Sequence, residues 1–335
     1  MLIGFSVGNH RSFKEIATLS LIDESGKPGD KALLFGANDS GKTNFLRAIE
    51  AMSSMVRFGL ICYLPFNANK STDEPSFFEV SLLAGSGDQI QYGFEVGRNS
   101  VDREWLCRFD HSGTMDTAIV LFERDHLEVT IGNTESRLNL DASQSGSLFL
   151  DKMLTFEAEI VREFFSSIYV TLLASKRHLD GDVLSFVGND CALKSRLSKL
   201  MSAIDLPIPD PVLRLPNSRG FDEAFGFLSL LLFAESRKIK LLCIDNFGES
   251  LHPLLASKLL NIASSTTGLQ LIFSTHQTRL MDEVSPYAIW LVEKNTEKAS
   301  NLTGIVEYKY IREGSLSVKY LSGIRGGVPF VDIIC

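Results

Sequence analysis

The sequence predicts an α/β fold: a mixed sheet flanked by helices, carrying an antiparallel β subdomain and a compact helical insert. Three observations predict it. Short apolar runs separated by turn residues fill the first third, a helical period follows, and buried strands then alternate with helices. At 335 residues, 44% hydrophobic and 22% charged, the chain can build two structural units, and wholesale disorder is excluded.

The elements follow in order. Residues 2–7 and 17–22 carry β-type apolar runs, and residues 31–35 (Lys-Ala-Leu-Leu-Phe) form an apolar run of the kind a strand covered on both faces shows. Residues 42–55 are a strong helix former. Strand-like runs recur at 77–83, 89–96, 105–109, 118–122 and 127–131, with Gly/Ser/Asp/Asn turns between them, which predicts an antiparallel meander. From 151 to 204 the period turns helical, with Phe156, Ile160, Phe164 and Ile168 four apart. Pro207, Pro209 and Pro211 close that region as a linker. Residues 221–237 and 253–263 then read as helices, and 239–244, 269–273 and 287–292 as buried strands. Three segments result: 1–150 as an N-terminal lobe with the β insert, 151–211 as a helical lid, and 212–335 as a C-terminal lobe.

Charge and cysteine usage narrow the setting. A net charge of −8 argues against broad attraction to nucleic acid. Five scattered cysteines make neither a disulfide framework nor a zinc pattern, and fit a reducing cytoplasm. The start lacks a basic leader with a small-residue cleavage site, and no apolar run reaches the length of a membrane span.

Two motifs carry chemistry. Gly36-Ala37-Asn38-Asp39-Ser40-Gly41-Lys42-Thr43 fits the P-loop pattern, glycine, four residues, then Gly-Lys-Ser/Thr, between a buried strand and a helix. Glycines let successive N–H groups converge on phosphate oxygens, and the helix start adds its positive dipole end. Lys42 would reach the β- and γ-phosphates, and the Thr43 hydroxyl would ligate Mg²⁺. The second motif is the strand ending in Asp245, whose carboxylate would hold Mg²⁺ through water. Many strands end in aspartate merely to make a turn. The place of Asp245 after a P-loop and before another buried strand favours the metal role.

Further residues resemble the ABC-type ATPases related to the SMC and DNA-repair group. They are Asn9-His10-Arg11-Ser12-Phe13, the P-loop extended by Asn44, Asn217-Ser218-Arg219-Gly220 at the place of the signature Ser-x-Gly, Ser250-Leu251-His252-Pro253, and Phe273-Ser274-Thr275-His276. The tail, residues 319–330, is similar to the closing segment of bacterial AAA/ABC-like ATPases of abortive-infection and phage-defence operons. The resemblance implies a P-loop NTPase of ABC/SMC-head type and a head-to-tail homodimer with two ATP molecules at its interface. Ser218 and Gly220 of one copy would cap the γ-phosphate held by the other, and His276 would sense the γ-phosphate from its strand end. His252 reads as structural, ahead of a proline at the first turn of a helix.

One residue departs from the family. Asn246 stands where a glutamate usually polarises the attacking water. An amide cannot accept the proton, so a loss of roughly 10²–10⁴ in the chemical step is expected. Glu249 is poorly placed to substitute. The magnesium-touching glutamine stays unassigned between Gln89 and Gln91. Basic residues Lys176, Arg177, His178, Lys194, Arg196 and Lys199 read as a solvated face.

The expected function is that of a cytoplasmic ATPase, with ATP and Mg²⁺ as cofactors, that dimerises on ATP, hydrolyses it slowly and regulates a separate effector such as a nuclease or toxin. A DNA-repair or DNA-end-binding ATPase and a catalytically impaired nucleotide sensor are the alternatives; no membrane role is expected.

Overall fold

The structure, a computed structural model, describes residues 1–60, 74–110, 118–132, 136–171, 181–206, 218–308 and 314–322. In chain order its elements are β1 (Leu2–Gly8), β2 (Ala17–Ser20), β3 (Lys31–Phe35), α1 (Lys42–Phe58), β4 (Ser76–Leu83), β5 (Gln89–Val96), β6 (Val101–Phe109), β7 (Ala118–Asp125), β8 (Glu128–Ile131) and β9 (Arg137–Asn139). They continue as α2 (Phe156–Ser166), β10 (Ile168–Thr171), α3 (Gly181–Asn189), α4 (Cys191–Ala203), α5 (Arg219–Ser236), β11 (Leu241–Phe247), α6 (Pro253–Ser264), β12 (Gln270–Thr275), β13 (Ile289–Lys294), β14 (Ser300–Gly304) and α7 (Leu316–Leu321). The fold is α/β with two sheets, as the sequence predicts.

Contacts divide the chain into two compact units, one of residues 1–29, 39–168 and 292–303, the other of residues 30–38, 169–291 and 304 onward. The chain passes from one to the other five times.

The first unit holds the antiparallel sheet, ordered β2-β1-β4-β5-β6-β7-β8-β9. Strand β4 shows why it forms: Ser76, Phe78, Val80 and Leu82 are buried while the residues between them are half-buried, a period of two. Phe5 and Phe13 each meet Phe45 of α1 edge-on, at 5.6 and 5.7 Å between ring centres. A buried acid–base pair sits at the far end of the meander. Glu104 accepts the N–H groups of Phe149 and Leu150 at 2.6 and 2.9 Å and the Tyr92 hydroxyl at 3.0 Å. Arg124 lies 3.7 Å away and donates to the carbonyls of His126, Ser147, Gln144 and Ser145. Burial pushes the Glu104 carboxyl up to about 7, outweighing these partners. The pair ties residues 144–150 to the sheet.

The second unit is built on strands of the other sheet, in which the pairs β11–β12, β12–β3 and β3–β13 are parallel. Helix α5 is buried along most of its length, as an apolar all-round helix must be. Its Phe227 meets Phe247 at 4.9 Å, and Phe247 stacks on Phe273 at 4.7 Å.

The helical region differs from expectation. Helix α2 buries Ala158, Val161, Phe164 and Phe165, and leaves Phe156 exposed. Ile168 opens strand β10 instead of continuing the helix. The run Ile-Tyr-Val-Thr is β-branched and aromatic, and a place beside β11 satisfies it better than another helical turn. Strand β13 begins at Ile289, after a 3₁₀ turn that takes in Tyr287. The Pro-rich linker, apart from Leu206, lies outside the described residues, as do Lys176, Arg177, His178, Asn217 and residues 323–330 of the tail.

Candidate functional site

Residues 36–44 join β3 to α1. Gly36, Asp39 and Gly41 have φ of +155°, +63° and +116°, so the backbone doubles back sharply before the helix. Helix α1 begins with neither a side-chain cap nor an acidic residue in its first turn. Its first N–H groups thus keep a positive field that no side chain of the helix offsets. Lys42 and Ser40 are buried, and the Ser40 hydroxyl oxygen has no hydrogen-bond partner. Thr43 and Asn44 are half-buried, Ala37 is half-buried, and Asn38 is exposed. An exposed Asp39 carboxylate pairs with Lys294.

The turn at residues 9–13 seats this loop. Asn9 and Arg11 take positive φ, and the His10 and Phe13 backbones exchange hydrogen bonds of 2.9 Å. Ser12 is thereby held against the loop, where its Oγ accepts Asn44 Nδ2 at 2.9 Å and Ser300 Oγ at 2.8 Å. Ser300 N–H donates to the Ser12 carbonyl at 2.7 Å. A β-carbon on Gly41 would fall 2.3 Å from Ser300 Oγ and 2.9 Å from Ser12 Oγ. Only glycine fits there.

In the second unit, β11, β12 and β3 are parallel neighbours, so Asp245, His276 and Gly36 leave the same edge of the sheet. Ligands of open parallel sheets bind at that edge. Asp245 is buried and His276 exposed. Ser274 of β12 donates its hydroxyl to the Asp245 carboxylate and accepts the Asn246 N–H at 2.8 Å. The β11–β12 register slips between Ile244 and Phe247, and Asn246 takes φ +55°. Such a bulge re-aims the side chain at the strand end. Asparagine tolerates this left-handed backbone better than glutamate does.

Ser218 and Gly220 start α5. Ser218 is exposed and caps the helix by accepting Phe221 N–H at 3.2 Å. Gly220 approaches the loop after β11 so closely that a β-carbon would lie 2.8 Å from the Ser250 carbonyl oxygen. Glu223, one turn on and buried, accepts the N–H groups of Gly248 and Ser250 at 2.6 and 2.8 Å. Burial raises its carboxyl pKa, and the backbone donors pull against that.

The remaining expectations are quickly placed. Gln89 and Gln91 share one face of β5, half-buried. His252 caps α6 by accepting Leu254 N–H at 3.3 Å, ahead of Pro253. Lys194, Arg196 and Lys199 are exposed on α4, and Arg196 pairs with Glu235 at 2.7 Å. Glu249 is exposed in the turn after β11.

The family model described as "AAA domain, putative AbiEii toxin, Type IV TA system" matches residues 31–116 and 188–282, just over half of the chain. The chain belongs to this family. Both matched stretches carry the motifs above: the first spans residues 36–44, the second Ser218, Gly220, Asp245, Asn246 and His276. Among solved structures it is similar to the SMC head domain from Thermotoga maritima, with a TM-score of 0.52 and 14% identity over 90% of this chain and 98% of that one. That likeness shows that the two share a fold. An SmcHead bound to the C-winged helix domain of ScpA (TM-score 0.45, 11% identity, 90% and 97% of the two chains) and cbiO1 from Clostridium perfringens, part of the ABC transporter complex cbiONQ (TM-score 0.39, 12% identity, 97% and 95%), resemble it more loosely. No curated protein matches. No helix among the described residues is long and apolar enough to cross a membrane.

Sequence reasoning missed four residues around these motifs. Ser300 and Lys294 are about 260 positions from the loop residues they hold, and nothing local marks them. Glu223 left a weak signal, an acid next to Asp222 near the start of a largely apolar helix, which reads equally as a partner of the helix dipole. Gln277, beside His276, donates to the Gly248 and Leu251 carbonyls at 2.7 and 3.1 Å. It stood one residue beyond the recognised strand.

Proposed function

We propose that this chain binds ATP with Mg²⁺ at residues 36–44, pairs head-to-tail with a second copy while ATP is bound, and hydrolyses it slowly. The observation that carries the reading is the start of α1: a buried hydroxyl without a partner at Ser40, glycines at positive φ, and an uncapped helix N-terminus. These features fit a polyphosphate, which would supply an acceptor for the Ser40 hydroxyl and negative charge at the helix start. The backbone of Gly36, Ala37, Asn38, Asp39, Ser40 and Gly41 would cradle the phosphates, Lys42 would neutralise them, and Asn44 would brace the loop through Ser12. Thr43 and Asp245 would hold Mg²⁺, which supplies charge neutralisation on the transferred phosphoryl group. Ser274 keeps the Asp245 carboxylate oriented for that role.

Ser218, Gly220 and the first turn of α5 form the second anion cap, offered to the γ-phosphate of the other copy. The exposed Ser218 hydroxyl at a helix start supports this assignment. His276, at its strand end, would contact the γ-phosphate held by its own copy. The slow step follows from Asn246: its amide orients water and leaves the proton without an acceptor.

The partner is a separate effector protein, and the setting is cytoplasmic defence against phage. The family's description, which names a toxin and a type IV toxin–antitoxin system, supports a two-component arrangement of that kind. The negative net charge favours a protein partner over direct action on DNA. Light scattering on the purified chain tests the core of the reading: a non-cleavable ATP analogue with magnesium doubles the molar mass, and an unchanged mass refutes it.

A further inference from the structure

The loop that follows Asp245 is gripped from two sides by groups of opposite hydrogen-bonding character. On one side it presents donors. The N–H groups of Gly248 and Ser250 meet Glu223 at 2.6 and 2.8 Å, and that of Glu249 is directed at the same carboxylate. On the other side it presents acceptors, the carbonyls of Gly248 and Leu251, taken by Gln277 Nε2 at 2.7 and 3.1 Å. Asn246 and Gly248, at φ +55° and +84°, turn the chain so that successive N–H groups converge. Converging N–H groups of this kind make an anion nest, and its anion here is Glu223.

The grip continues into the site at both ends. Gln277 is the neighbour of His276, its N–H donates to Thr275 Oγ1 at 3.0 Å, and that hydroxyl donates to the Phe247 carbonyl at 2.7 Å. Glu223 lies one turn inside α5, whose start at Gly220 touches the Ser250 carbonyl without room for a methyl group. Glu249 and Ser250 are themselves exposed. Burying a carboxylate is a costly way to close a surface turn that an apolar contact could close as well. The specific donor–acceptor pattern therefore serves the position of the loop.

We propose that Glu223 and Gln277 are positioning residues that make the loop Gly248–Leu251 a stiff link between the strand end at His276 and the cap at Ser218–Gly220. Engagement of phosphate at one end then fixes the geometry of the other. The inference rests on the ATP-dependent pairing proposed above.

The test uses the full chain and two nearly isosteric variants. Glu223→Gln turns an acceptor toward a nest of donors into a mixed group, and Gln277→Glu faces two carbonyls with a carboxylate. Two quantities are read for each: the affinity of the dilute protein for a fluorescent ATP analogue, and the protein concentration at half-dimerisation with a non-cleavable analogue and magnesium. The expected result is unchanged nucleotide affinity with half-dimerisation shifted upward on the order of tenfold, the usual size of a coupling between sites. Should Glu223→Gln fail to fold, the same split in Gln277→Glu carries the test. Wild-type dimerisation in both variants overturns this inference alone, and so does a loss of nucleotide affinity in proportion to dimerisation, the mark of a general structural defect. A wild-type chain that never dimerises overturns it together with the function on which it rests.

Discussion

Asn44 donates its side-chain amide to the hydroxyl of Ser12 over 2.9 Å, across 32 positions of sequence. The two residues belong to motifs that read as unrelated stretches, and the bond makes them one device. Ser12 also receives Ser300, and Ser300 donates to the Ser40 carbonyl at 2.5 Å. The loop of residues 36–44 is thus held by a small serine cluster packed against Gly41.

Gly41→Ala is expected to damage that device more than any neighbouring change. It combines φ +116° with a methyl group 2.3 Å from Ser300 Oγ, and a strained backbone of this kind costs about 1–3 kcal/mol. Urea denaturation should show the loss, and calorimetry should show weakened nucleotide binding. Ser12→Ala removes only the shared hydroxyl and should cost about 1 kcal/mol.

On the proposed reading, Asn246 sets the rate. Asn246→Glu restores a proton acceptor, so single-turnover hydrolysis should rise by on the order of 10²-fold or more. The same change puts glutamate at φ +55°, where the left-handed backbone costs it about 1–2 kcal/mol. The variant should therefore be faster and less stable at once. Fast wild-type turnover that the substitution does not raise would contradict the assignment.

Glu104 makes a pH prediction of definite sign. Its carboxyl is raised from 4.5 to about 7 in the folded chain. Between those values the native state keeps a proton that the unfolded state has released, so this group's contribution to stability falls as pH rises. Glu104→Gln does not titrate. The margin by which wild type exceeds it in denaturation should narrow from pH 5 to pH 8, and a margin that widens would contradict the burial argument.

His10 has the opposite sign. Burial, reinforced by Arg11, lowers its pKa from 6.5 to about 3, and its ring lies edge-on to Phe78 at 5.1 Å. Its contribution is complete above the unfolded value and is lost as pH falls from 6.5 toward 3. His10→Gln should flatten that acid limb, measured by thermal melting across the range. An unchanged limb would contradict it.

What the sequence disclosed was what local pattern can encode. The apolar run before Gly36, the alternation along β4 and the helix beyond Lys42 are each set by near neighbours, and each stands within a few residues of its expected bounds. Strand β10 was hidden because Ile168 continued the four-residue period of Phe156 and Phe164, while its pairing partner, β11, lies some seventy residues on. Ser300 was hidden for the same reason on a larger scale, 288 positions from Ser12. At the strand end the residue Asn246 could be read and its bulge could not, since a register slip exists only between two strands. Glu223 looked like an ordinary helix-start acid until the loop it binds was in place.

The central claim is that a phosphate site is shared between two copies, Lys42 from one and Ser218 from the other. The most direct measurement is light scattering on Lys42→Ala, on Ser218→Arg, and on their mixture, with a non-cleavable ATP analogue and magnesium. Each variant alone should remain at monomer mass, the first because it cannot hold nucleotide and the second because it cannot cap it. Their mixture assembles one intact composite site per pair and should show dimers. A mixture that stays monomeric while wild type dimerises, or a dimer formed by either variant alone, would contradict the claim.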